Sequence, residues 1–322
     1  MSRVAKAAVG LMAATLVAKI LGFGRELALA SAYGASGVSD AFLVAMNIPA
    51  VIFTAIGTSL GTAFIPLYCE VNANKGEQSS NKFTNNVFNI VVIICIVISV
   101  IGAIFTPQIV KIFAVGFEGE TLRLAIYFTR VMILGLAFLG MSYIMMAYLQ
   151  VKENFIIPGF MSVPYNILII ISIIVSVKIS PYLLPWGTLI GLSLQFLFQL
   201  PFAIKKGYRY KLYIDVKDEH LKRMLWLIAP VLIGVAVNQI NTIVDRTIAS
   251  TFVEGSISAL NYATKLNQFV MGMFIVSISS VVYPMLSKLS SENNKEQFNK
   301  SIITSVNTVT LLVIPISIGA II

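Results

Sequence analysis

Four ionisable residues fall inside what otherwise reads as the first two membrane spans: Lys19, Arg25, Glu26 and Asp40, in KILGFGRELALASAYGASGVSD. A charge near the bilayer centre costs about 2.5–3.5 kcal/mol even on lenient insertion scales, so these groups need a polar cavity or one another. Arg25 offers a planar fork that grips phosphate oxygens in pairs, and Lys19 a mobile point charge. Six residues apart, the two do not share a face of a straight helix. Gly22 and Gly24 between them allow a bend or a close approach to a ligand. Two readings stand: contact with an anionic ligand in a water-filled chamber, or an internal ion pair of Arg25 with Glu26 or Asp40. Asp40, at the start of the second span, is equally a gate residue and an N-terminal helix carboxylate.

Other candidates lie further along. Lys265, mid-span in NYATKLNQ, is a third cation for the chamber or a side chain snorkelling to one surface. Asp245 and Arg246 sit in NQINTIVDRTIAS. A carboxylate preceded by Asn238, Gln239, Asn241 and Thr242 can hold a sodium ion or a proton, or can serve hydrogen-bonded helix packing. Asn166 follows Pro164 in SVPYNILII, the pattern of a broken helix lining a cavity or of a packing kink. Arg130, near one end of a span, reads as a headgroup contact. No Walker loop, HExxH, GxSxG or dinucleotide fingerprint occurs, so no catalytic constellation is expected and the chain reads as a non-enzyme without a resident cofactor. Cys69 and Cys95 form neither a CxxC nor a disulfide framework, and the single histidine, His220, lies in a charged loop.

Those side chains need elements to hold them, and composition says which. The 322 residues are 57% hydrophobic and 11% charged, with mean hydropathy +0.88, whereas soluble domains carry roughly 25% charged residues. Continuous apolar runs long enough to cross a hydrocarbon core recur along the chain, without the period of two that marks barrels. The fold class is therefore an all-α polytopic membrane bundle. Nine spans are expected, at 7–33, 38–66, 85–106, 122–149, 155–177, 183–204, 225–251, 256–286 and 302–322. The first run is too long for a cleavable signal peptide.

With the N-terminus inside, the inner segments carry fifteen Lys and Arg and the outer segments three, which favours a cytoplasmic N-terminus. That bias accounts for the net charge of +9 without nucleic acid. The basic stretch 205–223, KKGYRYKLYIDVKDEHLKR, reads either as a surface helix on anionic headgroups or as an ordinary cytoplasmic linker. It separates two copies of a repeat. Gly37, Ala41, Ala45, Ser59 and Pro66 recur as Gly255, Ala259, Ala263, Ser277 and Pro284, all 218 residues on. One period holds six spans, so the copies share an orientation and place a substrate site at their interface. The expected organisation is a six-helix lobe at 1–204, a linker at 205–223 and the first three helices of a second lobe at 224–322, which reads as truncated.

The segments KILGFGRELALASAYGASGVSDAF, AFIPLY, QINTIVDRTIAS and GSISALNYATKL resemble the MurJ family of lipid II flippases, within the superfamily of multidrug, oligosaccharidyl-lipid and polysaccharide exporters. The resemblance covers essentially the whole chain and is densest over 19–66 and 228–288. It implies two six-helix lobes around a cationic cavity, alternating access, and movement of the undecaprenyl-diphosphate-linked peptidoglycan precursor between leaflets of a bacterial plasma membrane, by a monomer whose partners are that substrate and membrane lipids. Lys19 falls where the family often has arginine, Arg25 and Asp40 match family residues, Lys265 falls on a further cationic position, and Asp245 matches an aspartate that joins a sodium site in some members. The stretch AVIFTAIGTSLG departs from the pattern, lacking the cationic pair and downstream acid of many members. Export of another polyprenyl-linked glycan or a drug, and a non-transporting scaffold for envelope synthesis, are the alternatives.

Overall fold

The computed structural model describes residues 3–271, 282, 286, 289 and 295–321. Eleven α-helices run through them: α1 (Arg3–Tyr33), α2 (Gly37–Ile104), α3 (Thr106–Phe113), α4 (Gly119–Met132), α5 (Leu136–Val151), α6 (Ile156–Phe160), α7 (Ser162–Lys178), α8 (Leu184–Lys205), α9 (Glu219–Ala249), α10 (Ser256–Val270) and α11 (Lys295–Ile321). Among the described residues, six helices or helical runs are long and apolar enough to cross a membrane. The repeat positions Ser277 and Pro284, together with Lys288 and Ile322, lie outside the described residues. The chain divides into two compact units, Met1–Leu260 and Asn261–Ile322.

In the first unit, α2 packs against α4, α5 and α9, and α7 is held between α1 and α8. Close approach matters where these helices cross. A methyl group on Gly135 would lie 2.4 Å from Leu192 Cδ1, and one on Gly187 2.1 Å from Ser172 Oγ. Between α4 and α5 the helix tightens into one 3-10 turn at Ile133–Gly135, and Ser99 Oγ donates to the Ile133 carbonyl at 2.8 Å. Pro164 has no N–H to return to the preceding turn, and the helix breaks at Met161 between α6 and α7, as expected for the Asn166 segment.

The second and third expected spans are not separated by a loop. They form one helical run whose single non-helical residue is Gly76, at φ 76° and ψ 177°, a conformation essentially confined to glycine. The chain reverses there. Phe64 and Phe83 stack with ring centroids 5.7 Å apart, although nineteen residues of straight helix would span roughly 28 Å. Ser80 Oγ likewise donates to Asn72 Oδ1 at 3.1 Å. The main core gathers at this reversal, where Phe64, Tyr68, Phe83, Tyr148, Tyr208 and Leu221 are buried together.

The basic linker is not a surface helix over its length. Residues 207–218 are non-helical, and α9 begins only at Glu219, capped by Asp218. An asparagine ladder on α2 holds the linker extended. Asn81 Nδ2 donates to the Gly207 carbonyl at 3.2 Å, Asn85 to Arg209 at 2.8 Å, and Asn89 to Lys211 at 3.2 Å and Tyr213 at 3.0 Å. Asn86 donates to the Asp215 carbonyl at 2.9 Å and accepts from its N–H at 2.7 Å. The match is geometric: four helical residues rise about 6 Å and two extended residues about 6.6 Å, so asparagines four apart meet every second carbonyl. Helix competition is lost because these carbonyls and one N–H already have side-chain partners.

Candidate functional site

The site begins at the α1–α2 corner. Gly34, at φ 59°, closes α1, and its N–H reaches the Ala30 carbonyl at 2.9 Å. Ser36 caps α2, accepting from Ser39 N–H at 3.4 Å, while Ser39 Oγ donates to the Gly34 carbonyl at 2.9 Å. This tight turn seats Asp40 in the first turn of α2, 2% exposed. Its Oδ2 accepts from Gly255 N–H at 2.7 Å and its Oδ1 from Ser258 N–H at 2.7 Å. Ser258 Oγ also donates to Oδ1. Asp40 thus caps the start of α10 rather than pairing with Arg25. Around it, Thr121 Oγ1 donates to Glu254 Oε1 at 2.7 Å, Gly116 N–H to Ser250 Oγ at 3.1 Å, and Thr247 Oγ1 to the Ile112 carbonyl at 2.9 Å. This end of the first unit is sewn shut between the α1–α2 corner, the α3–α4 connection and the α9–α10 turn.

Deeper along α1, Arg25 finds its partners. Its Nη2 donates to Glu26 Oε1 at 2.6 Å and its Nη1 to Asn166 Oδ1 at 3.3 Å. Asn166 is buried and also donates through Nδ2 to the Ser162 carbonyl at 2.9 Å. Glu26, 5% exposed, is also within electrostatic reach of Arg246 on α9, whose Nη1 reaches the Leu43 carbonyl at 3.5 Å. One buried carboxylate therefore sits in the fields of two guanidiniums. A cavity of about 270 Å³ adjoins it, lined by Met46, Phe53, Tyr143, Ser162, Tyr165 and Gln195 among others.

The other expected residues are distributed. Lys19 is exposed on α1 and has no hydrogen bond or ion pair among the described residues. Helix α1 runs unbroken through Gly22 and Gly24, and both face open space, which leaves room there for the close approach of a ligand. Asp245 is exposed on α9. No group of three His, Cys, Asp or Glu able to hold a metal is present among the described residues. Lys265 belongs to the second unit, where its Nζ donates to Gln268 Oε1 at 3.4 Å. Of the expected set, the fold brings together Arg25, Glu26 and Asn166. Arg246 was visible in the sequence as a mid-span cation but not as their neighbour, because a contact between residues 26 and 246 has no local signature.

The family model for the lipid II flippase MurJ matches residues 29–322. The chain belongs to the MurJ lipid II flippase family. It is similar to the probable lipid II flippase MurJ of Buchnera aphidicola subsp. Baizongia pistaciae, 29% identical over 316 residues, covering 96% of this chain and 62% of that protein. With the lipid II flippase MurJ of Burkholderia cenocepacia it shares 28% identity over 313 residues, 94% of this chain and 60% of the relative. The solved structure of a lipid II flippase MurJ in an inward closed conformation superposes with TM-score 0.77 at 30% identity, over 95% of this chain and 63% of the other. An outward-facing multidrug resistance transporter of the MOP superfamily, 14% identical with TM-score 0.62, shares the fold. The chain spans about 60% of the length of the MurJ relatives it matches. As a MurJ family member with six helices or helical runs able to span a bilayer, it is a multi-pass membrane protein of the bacterial inner membrane.

Proposed function

We propose that this protein moves lipid II, the undecaprenyl-diphosphate-linked peptidoglycan precursor, from the inner to the outer leaflet by alternating access through a cationic chamber. In this reading the N-terminus is cytoplasmic, residues 1–204 and 224–322 contribute to two like-oriented lobes, and 205–223 link them. The protein acts as a monomer, without catalysing a covalent step. The observation that carries the reading is the cluster of Arg25, Glu26 and Arg246, two guanidiniums about one buried carboxylate, in a member of the MurJ family. A buried guanidinium whose counter-ion is shared can exchange Glu26 or Asn166 for a phosphate oxygen. Charge-assisted hydrogen bonds of that kind contribute about 1.5–3 kcal/mol each.

Lys19 and Lys265 supply further positive charge to the diphosphate, Asn166 orients Arg25, and Glu26 is the counter-ion that returns when the ligand leaves. Asp40 is the gate on the outer side, holding α10 while the chamber faces inward. Asp245 is the candidate sodium ligand, with a sodium ion or a proton driving the cycle.

The test is complementation of a flippase-depleted strain. Arg25→Ala is expected to abolish rescue while membrane insertion, followed by fractionation, is unchanged. Full rescue by Arg25→Ala would overturn the ligand assignment. Native mass spectrometry of co-purified lipid separates lipid II from another polyprenyl-linked glycan.

A further inference from the structure

We propose that the extended linker forms a membrane-surface anchor: its turn at Tyr210–Ile214 engages the headgroups of anionic phospholipids in the leaflet beside it. Three observations converge on that surface. The first is height. The asparagine ladder carries the linker from Asn81 to Asn89, eight helical residues or about 12 Å along α2. Its turn therefore stands where the apolar half of α2 begins. One turn beyond Asn89, Ile93 and Ile94 are 46% and 43% exposed, as expected of side chains facing lipid.

The second is the outward face of the strand. With the carbonyls of Lys211, Tyr213 and Asp215 turned to α2, the alternate side chains Leu212, Ile214 and Val216 are 78%, 47% and 64% exposed. An apolar edge with no protein cover among the described residues, continuous with a lipid-facing helix surface, is matched by the headgroup–acyl boundary.

The third is charge. Lys205, Lys206, Arg209 and Lys211 are all exposed and flank that edge. Lys82 is held 4.4 Å from the centroid of the Tyr213 ring. The carboxylates beside that edge are already engaged: Asp215 by Tyr213 Oη at 3.1 Å and Lys217 N–H at 2.9 Å, Glu77 by Lys152 Nζ at 2.5 Å, and Asp218 by Leu221 N–H at 2.9 Å. Basic side chains beside apolar and tyrosine residues form the interfacial pattern that selects anionic over zwitterionic lipid. The linker is pinned through its backbone and its tyrosines, with Tyr210 Oη donating to Asn89 Oδ1 at 3.0 Å, so Leu212, Ile214 and Val216 are left to the membrane.

The experiment places an environment-sensitive fluorophore on Leu212→Cys, in a Cys69→Ser background because Cys69 is the exposed natural cysteine. The chain is reconstituted in nanodiscs of phosphatidylcholine alone or of an equimolar mixture with phosphatidylglycerol. Emission is expected to shift to the blue, and to be quenched by a headgroup nitroxide lipid, more strongly in the anionic discs. Lys211→Gln is expected to shrink the difference in quenching between the two compositions, in line with an approximately fivefold weaker attraction to the anionic surface. Asn89→Ala, which removes two ladder bonds and the acceptor of the Tyr210 hydroxyl but no charge, is expected to lower the quenching in both compositions. Equal quenching in both lipids, no effect of Lys211→Gln, or an aqueous emission maximum throughout would each overturn the proposal. The outcome is independent of Arg25 and of lipid II transport.

Discussion

Asp40 and Ser258 are bonded to each other and are also 218 residues apart, the interval at which Gly37 recurs as Gly255. Asp40 therefore grips its own counterpart in the second copy of the repeat, and its other oxygen holds Gly255, the counterpart of Gly37. Both glycines are closely packed: a methyl group on Gly37 would lie 2.3 Å from Thr121 Oγ1 and 3.2 Å from Glu254 Oε1, and one on Gly255 2.6 Å from the Ala35 carbonyl.

Replacing Asp40 with alanine leaves the N–H groups of Gly255 and Ser258 buried without an acceptor, at roughly 1–3 kcal/mol each. We expect Asp40→Ala to open this corner, so that a cysteine placed at Ser250, 5% exposed, reacts with water-soluble thiol reagents. Asp40→Asn keeps one acceptor and is expected to react at an intermediate rate. Equal reactivity in the parent and both variants would show that the seal does not depend on this carboxylate.

Arg25→Lys is expected to insert normally but to rescue a flippase-depleted strain less than the parent. One ammonium cannot reproduce the planar fork that spans Glu26 and Asn166. Asn166→Ala removes only the 3.3 Å bond and is expected to weaken rescue less than Arg25→Ala does. The reverse order would make Asn166, rather than Arg25, the primary contact.

How far these relationships were legible in the sequence depends on their range. The helices came from uninterrupted apolar runs and the α6–α7 break from Pro164, and Asp40 was legible as a carboxylate in the first turn of α2 but not as the partner of Gly255 and Ser258. Arg25 and Glu26 are neighbours in the chain, and their ion pair was one of two readings the residues allowed. Asn166 and Arg246 reach that pair only through the packing of α7 and α9, which no window of sequence contains. Of the two readings of 205–223, the extended linker is the one found, and its cause lies far off in the sequence. Its basic composition fits a surface helix, but NKFTNNVFN, well over a hundred residues earlier, takes up its backbone groups.

Asp215 makes the linker sensitive to acid. The Lys217 N–H, then the Tyr213 hydroxyl, hold its carboxyl below the ordinary aspartate range. A depressed folded value stabilises the folded linker above the unfolded pKa of about 3.9, and that contribution is lost as pH falls through the folded value. The fluorophore at position 212 is expected to report a steady anisotropy from neutral pH down to the ordinary carboxylate range and a fall below it. Asp215→Asn should flatten the acid limb.

Gly76→Ala is expected to lower the thermal midpoint, since a side chain at φ 76° and ψ 177° costs about 1–3 kcal/mol. Gly24→Ala, in a helical position with open space around it, is expected to hold or slightly raise it, alanine being favoured by up to about 1 kcal/mol in helix interiors. Differential scanning fluorimetry in detergent compares the two, and a neutral Gly76→Ala would show that the reversal can be made another way.

A turn-about made by one residue has no slack. The two limbs of α2 are braced by stacked rings beside that pivot and cannot drift independently as spans joined by a long loop can. Any tilt imposed on one limb at the Asp40 corner is delivered as torque to the other, and through its row of asparagines to the chain segment that leads into α9.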